Sequence, residues 1–216
     1  MKKLILKMSV TVDGFVGGPK GQLDWIFRTD SNDAAKWSID MLWDTSLHLM
    51  GRRTYQDMAA WWPTSKGKYA AVMNKIPKAV FSRRGVGPPD KKLTTMGLKS
   101  ARAANRGEQG ANASAKVWES WLHPQICTGK LATEIKRLKQ GSGKPLVAHG
   151  GAGFARSLIG TGLIDEYYLL VHPIILGQGL PIFSDLRRSL DLTLTESISF
   201  KSGAVAQIYR PAKKSA

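Results

Sequence analysis

The hydrophobic period of this chain switches repeatedly between two and about 3.6, and that alternation restricts its fold more than any other feature. Leu4, Leu6, Met8, Val10 and Val12 fall on every second position, which predicts a strand over residues 3–12 running into Asp13-Gly14. A helix is expected over residues 33–44, with Trp37, Met41 and Leu42 facing inward. A short strand at 46–50, a helix at 54–60 and a strand at 79–82 follow. Thr128 is the expected N-cap of a helix carrying Leu131, Ile135 and Leu138 that stops at Gly141. A strand at 145–149, a turn at Gly150-Gly151, a helix at 153–159 and a strand at 166–171 come next. Two runs at 192–200 and 204–209 flank Lys201-Ser202-Gly203 as a hairpin. Strand–helix–strand alternation with a terminal hairpin specifies an α/β protein whose sheet is mostly parallel with an antiparallel edge.

With 216 residues, 43% of them hydrophobic, the chain fits a single domain over 1–216 and excludes collagenous, wholly disordered and coiled-coil classes. Its one cysteine, Cys127, reads as a buried apolar filler and excludes an internal disulfide framework or a multi-cysteine zinc site, so no metal is expected. No apolar run is long enough to cross a membrane, and Lys7 and Ser9 interrupt the apolar stretch after Met1-Lys2-Lys3, so the expectation is a cytoplasmic protein without a signal peptide. Charge is lopsided, 32 basic against 16 acidic residues, which points generically to polyanions or phosphate-bearing small molecules. Residues 83–116 hold eight basic and two acidic residues, no aromatic, and Val86, Leu93, Met96 and Leu98 as their only large aliphatics. Such a segment cannot offset its ordering entropy alone, so a basic insertion is expected at about 84–116, held by the domain surface or a partner chain.

Three predicted strands end in glycine or small polar residues just before a helix or turn, where open α/β sheets bind ligands. Val147-Ala148-His149-Gly150-Gly151-Ala152-Gly153-Phe154 lets a phosphate approach backbone amides at a helix start, although Arg156 stands where a dinucleotide fingerprint needs its third glycine. In Leu49-Met50-Gly51-Arg52-Arg53-Thr54, Thr54 is the expected cap, and two arginines at a helix start oppose its dipole unless an anion neutralises them. Val80-Phe81-Ser82-Arg83-Arg84 ends in a hydroxyl and two guanidiniums, which suit a phosphomonoester. Singly, these are a tight turn, an ordinary helix start and a solvated basic loop. Together they suit a dinucleotide with an additional 2′-phosphate.

Those stretches, with Ser9-Val10-Thr11-Val12-Asp13-Gly14-Phe15, Gly162-Leu163-Ile164-Asp165-Glu166 and Pro173-Ile174-Ile175-Leu176-Gly177-Gln178-Gly179, resemble the dihydrofolate-reductase-like fold, a three-layer sandwich. Within it the chain is most similar to the reductase domain of riboflavin biosynthesis and its stand-alone relatives. The resemblance implies NADPH as hydride donor and a homodimer. By position it implies that Arg52, Arg53 and Thr54 meet the pyrophosphate and adenine side, Ser82 and Arg83 the 2′-phosphate, and His149, Gly150, Gly151, Ala152, Gly153 and Phe154 the central phosphates. Val12, Asp13 and Gly14 would begin a loop closing over the nicotinamide, and Asp24, Trp25 and Trp37 would line the substrate pocket.

The implied activity is reduction of a small nitrogen heterocycle or its imine-like bond, with 5-amino-6-(5-phosphoribosylamino)uracil reductase leading. A dihydrofolate- or pterin-type reductase is the alternative, and a non-catalytic nucleotide- or polyanion-binding protein, nucleic acid included, a third. Two positions depart from the pattern. Ala35 stands where folate reductases carry an acid, leaving Asp33 or Asp40 to substitute, and His149 stands where the riboflavin reductase carries a substrate-binding Glu. With Cys127 alone there is no zinc-deaminase signature, so the bifunctional form is not expected. Asp13 is the candidate catalytic acid, with Asp24 or a bound water as alternatives. Asp13-Gly14 is equally a turn former, His149 a hydrogen-bonded turn residue or a proton donor, and His172-Pro173 a strand exit.

Overall fold

Even-numbered positions of β1 (Leu4–Thr11) face one core and odd-numbered positions the other, because successive strand side chains point to opposite sides. The computed structural model describes residues 1–87, 95–110, 113–184 and 186–212. The other strands are β2 (Leu47–Gly51), β3 (Lys78–Phe81), β4 (Gln125–Cys127), β5 (Leu146–His149), β6 (Glu166–His172), β7 (Leu192–Ser199) and β8 (Val205–Pro211). The helices are α1 (Asp24–Phe27), α2 (Asn32–Trp43), α3 (Arg52–Trp61), α4 (Ala70–Lys75), α5 (Met96–Ala104), α6 (Ala115–Leu122), α7 (Leu131–Leu138) and α8 (Ala152–Ile159).

The strands form one sheet in the order β4-β3-β2-β5-β1-β6-β8-β7. The six from β4 to β6 run parallel, and β8 and β7 pair antiparallel at the edge. Leu4, Leu6, Met8 and Val10 share a core with Ile135 of α7 and Ala155 and Leu158 of α8. On the opposite face Ile5 joins Leu42 of α2, Tyr55 of α3, Val72 of α4 and Trp121 of α6. Helices thus cover both faces, giving the three layers expected.

Sequence patterning misplaced several details. The buried residues of α2 are Ala34, Ala35, Ser38 and Leu42, because small side chains let the helix approach the sheet; Trp37 and Met41 are half-buried at its flank. The N-cap of α7 is Lys130, with no side-chain cap, in place of Thr128. The three-residue strand β4 is too short to show a period and went unpredicted, although Cys127 is buried in the core as expected.

The basic segment carries more structure than its composition implies. Thr95 caps α5, accepting from Leu98 N at 3.2 Å and donating to Asp57 of α3 at 2.7 Å. Leu98 is buried, and Lys66 N and Gly110 N donate to Glu108 O and Thr64 O. The domain surface therefore holds the described part of the segment, while Leu93 and the Pro88-Pro89 pair lie outside the described residues. Just beyond it, α6 drives Trp121 fully into the core, where its indole donates to Asn74 Oδ1 at 2.7 Å and its carbonyl accepts from Tyr55 Oη.

Candidate active site

Adjacent strands β5 and β1 feed helices on opposite faces: β1 leads to α2 on one side and β5 to α8 on the other. Chain segments that diverge in this way open a crevice at the carboxyl ends of the strands. Three turns line up there, because β3, β2 and β5 are consecutive and Gly51 is paired in register with Phe81.

The middle turn leads from β2 into α3. Gly51 is the N-cap, and Thr54 lies inside the first turn and makes no capping bond, which corrects the expected cap. The next turn leads from β5 into α8, capped by Gly151 at φ +29° and again without a side-chain bond. Both helices thus present first-turn N–H groups that nothing in the helix satisfies, at the positive ends of their dipoles. The turns touch: a Cβ on Gly151 would lie 2.8 Å from Thr54 Oγ1, and one on Gly51 would lie 3.1 Å from Phe154 Cβ. A Cβ on Gly150 would lie 2.6 Å from Met8 Sδ. Glycine is needed here because a Cβ at each position would run into a neighbouring side chain, and its absence leaves the helix-start amides open to a phosphate.

The third turn follows β3. Ser82 N donates to Cys127 O at 3.1 Å and Ser82 Oγ to Gly85 O at 2.6 Å, fixing the turn from which exposed Arg83 projects. Arg52 is exposed as well, and neither guanidinium has a salt-bridge partner among the described residues. Arg53 lies close enough to Asp57 to pull its carboxyl downward, but burial, the larger influence, leaves that group above the usual carboxylate range.

Asp13 serves the loop. Its carboxylate accepts from Thr11 Oγ1 at 2.5 Å, from Leu176 N at 3.0 Å and from Gly177 N at 2.7 Å, and Val12 N donates to Ile174 O. These bonds, led by the Thr11 hydroxyl, hold it below the usual carboxylate range, so it ties the exits of β1 and β6 together as an anion. Gly14 supplies the positive φ of the turn, +81°. Asp24 faces solvent in an ion pair with Arg28 at 2.7 Å. Trp37 packs on Tyr168 and Phe200, whereas Trp25 is fully buried, edge-on to His172 at 5.2 Å.

The structure adds a group that sequence reading passed over. Lys7 sits mid-strand in register with His149 of β5 and Tyr168 of β6. Burial lowers its ammonium to about 8. Burial first, and the Lys7 charge second, depress His149 to about 3 and His172 to about 4. His149 Nε2, His172 Nε2 and Trp25 Nε1 are buried without a hydrogen-bond partner among the described residues, although His172 Nδ1 and Thr29 Oγ1 meet at 2.5 Å. His149 Nε2 therefore makes none of the hydrogen bonds expected of a turn residue. His149 ends its strand packed edge-on against His48 at 4.5 Å, and at so low a value it stays a neutral imidazole near neutrality, with no imidazolium to act as an acid. The signal for Lys7 was present in the sequence as a charge inside an apolar strand, since buried cations and orphaned ring nitrogens concentrate where a polar ligand binds.

An α/β/α sandwich with two uncapped helix starts over adjacent strand ends is a dihydrofolate-reductase-like fold with an anion-receptive crevice. The chain belongs to the RibD C-terminal domain family, a riboflavin-type reductase family, whose pattern matches residues 2–206. It is 26% identical over 208 residues to the uncharacterized protein YyaP of Bacillus subtilis strain 168, covering 96% of this chain and 94% of that protein. Among solved structures, one assigned to riboflavin biosynthesis from Shewanella sp. PV-4 superposes with a TM-score of 0.70 at 20% identity, covering 99% of this chain and 100% of the other. The Thermotoga maritima diaminohydroxyphosphoribosylaminopyrimidine deaminase/5-amino-6-(5-phosphoribosylamino)uracil reductase superposes at 0.63 and 15% identity, covering 98% of this chain and 57% of that one. Enterococcus faecalis dihydrofolate reductase, in complex with NADP(H), superposes at 0.54 and 13% identity, covering 98% and 97%. Among the described residues no helix is long and apolar enough to cross a membrane, and no cluster of side chains could hold a metal.

Proposed function

We propose that this protein is an NADPH-dependent reductase of a small nitrogen heterocycle carrying an imine-like bond, nearest in kind to 5-amino-6-(5-phosphoribosylamino)uracil reductase. The observation that carries this reading is the glycine-built cradle between two uncapped helix starts, flanked by Ser82-Arg83 one strand away. The Arg52–Thr54 and Gly150–Phe154 turns would hold the pyrophosphate, and Ser82 and Arg83 the 2′-phosphate. NADPH supplies the hydride when bound. Val12, Asp13 and Gly14 would cover the reacting face, the Asp13 carboxylate fixing the loop and so excluding water.

Lys7 is the proton source in this proposal. With a value of about 8 it is protonated at neutral pH, yet gives up its proton at small cost. Hydride addition to the carbon of a C=N bond leaves its electron pair on nitrogen. The Lys7 proton goes to that nitrogen, and solvent reprotonates the amine. The unpartnered ring nitrogens of His149, His172 and Trp25 would orient the heterocycle by hydrogen bonds. Against the folate alternative stands the fate of its two candidate acids. Asp33 accepts from Lys201 N at 3.0 Å and from Ala34 N at the start of α2, and Asp40 is exposed and paired with Lys36.

Two variants test the two halves of the reading. Arg83→Ala is expected to reduce the preference for NADPH over NADH about 10- to 100-fold, the value of one charge-assisted contact, in parallel titrations read by tryptophan-to-nicotinamide energy transfer. An unchanged preference removes the 2′-phosphate assignment. Lys7→Met is expected to lower kcat on the aminouracil substrate about 10²- to 10⁴-fold while leaving NADPH affinity intact, and to abolish an alkaline decline in rate near pH 8. Full activity of that variant would return the proton to water.

A further inference from the structure

Opposite the crevice, at the amino ends of β2, β3 and β4, lies a cavity of about 260 Å³ lined by Leu47, Pro77, Lys75, Lys78, Ser120, His123 and Gln125. We propose that this cavity is a second anion site, floored by Lys78 and rimmed by Lys75, His123 and Gln125, that takes a phosphate or phosphate-monoester group.

Lys78 carries the argument. It opens β3, and the alternation of that strand turns it inward under α4 and α6, where it is 2% exposed. Its ammonium donates to Asn74 O at 3.3 Å and Ser120 Oγ at 3.2 Å, both long, and lies 4.2 Å from the centre of the Trp121 ring. These contacts satisfy donors and offer a π face, but none supplies a negative charge. No ion pair joins Lys78 to a carboxylate among the described residues. A buried cation without a counter-charge is costly, and burial draws this one down to about 7.

The surroundings sharpen the deficit. His48, fully buried, is held well below its ordinary value by burial first and by the His149 and Lys78 charges after it, so it brings no counter-charge, and both its ring nitrogens lack partners among the described residues. Lys75 and His123 are exposed at the rim. With its amide turned so that the carbonyl faces Arg137, Gln125 accepts from that guanidinium at 2.8 and 3.0 Å and keeps its NH₂ group as a donor, and Glu134 is engaged by Arg137 at 2.7 Å. Ser120 Oγ donates to Asn74 O at 2.8 Å, so toward Lys78 it is an acceptor. Two lysines, an imidazole and an amide line one cavity, a donor set that matches a dianion with several acceptor oxygens better than a monovalent carboxylate.

The protein is titrated with inorganic phosphate at constant ionic strength, following the ¹⁵N–¹H signals of the Trp121 indole and the His123 imidazole. These reporters sit at the cavity, so the outcome is independent of whether the crevice binds NADPH. The expected result is one saturable isotherm at both reporters, weakened at least about tenfold in Lys78→Met, Lys75→Ala and His123→Ala. The last two replace exposed side chains and carry the test if the first does not fold. Acetate is expected to bind at least about tenfold more weakly than phosphate. Shifts that rise linearly and equal those in chloride, isotherms unchanged in the variants, or equal binding of acetate would each overturn the proposal.

Discussion

Replacing Gly151 by valine is expected to weaken NADPH binding by at least about 100-fold while leaving a folded protein. At φ +29° a β-branched residue is strained, and its Cβ would already lie 2.8 Å from Thr54 Oγ1 before the two methyl groups are added. A side chain there crowds Thr54 in the first turn of α3, the helix start whose free amides the proposal gives to the pyrophosphate. Two charge-assisted hydrogen bonds lost at about 1.5–3 kcal/mol each correspond to a 10²- to 10⁴-fold loss of affinity. The strain costs stability too, on the order of 1–3 kcal/mol, which a circular-dichroism melt measures separately. A variant that melts cooperatively and still binds NADPH normally would mean that the crevice between these helices is not the nucleotide site.

Acidification is expected to destabilise the protein by roughly 4 kcal/mol between pH 7.5 and 5, well before its carboxylates titrate. His149 and His172 are held neutral by burial at about 3 and about 4, against 6.5 in the unfolded chain. Depressed histidines stabilise the fold fully above 6.5. Below that value the unfolded chain takes up protons that the folded one refuses, and each group withdraws about 2 kcal/mol by pH 5. His48, also depressed, adds in the same direction. Lys7, at about 8 when folded and 10.5 when unfolded, is protonated in both states through most of this interval and contributes little slope. Asp33, held down to about 2 chiefly by its hydrogen bond with Ser31, loses its contribution only below the unfolded value of 3.8. Guanidinium titrations at the two pH values measure the difference. Equal unfolding free energies would show that these imidazoles are hydrated in solution.

The two results bear on one feature. The face of the sheet that approaches the crevice carries Lys7, His48 and His149 where the opposite face carries Leu6, Leu49 and Ala148. A core lined in this way is less stable than an apolar one, and the proposed chemistry gives a reason to retain it: a lysine whose proton is loosely held needs burial, and neutral histidines are the neighbours that repel it least.

Much of this was legible in the chain. Period two in Leu4–Val12, the Gly-Arg-Arg and Gly-Gly turns, and the Lys201–Gly203 hairpin depend on nearest neighbours, and local sterics fix them before any long-range contact forms. For the same reason the alignment of Gly51, Ser82 and Gly150 at strand ends could be read from order and spacing alone. Register and long-range pairing could not. Asp13 reads as an acid beside a pocket until Leu176 N and Gly177 N, more than 160 residues away, are seen to bind it. Lys7 reads as a break in an apolar run until β5 and β6 flank it with His149 and Tyr168. The basic segment reads as unstructured until Leu98, Thr95 and Gly110 find α3 and its neighbours. A side chain's charge state and its exposure are set by what packs against it, so the sequence by itself determined the elements and their turns, and only the tertiary structure decided which of its polar residues are anchors and which are left to meet a ligand.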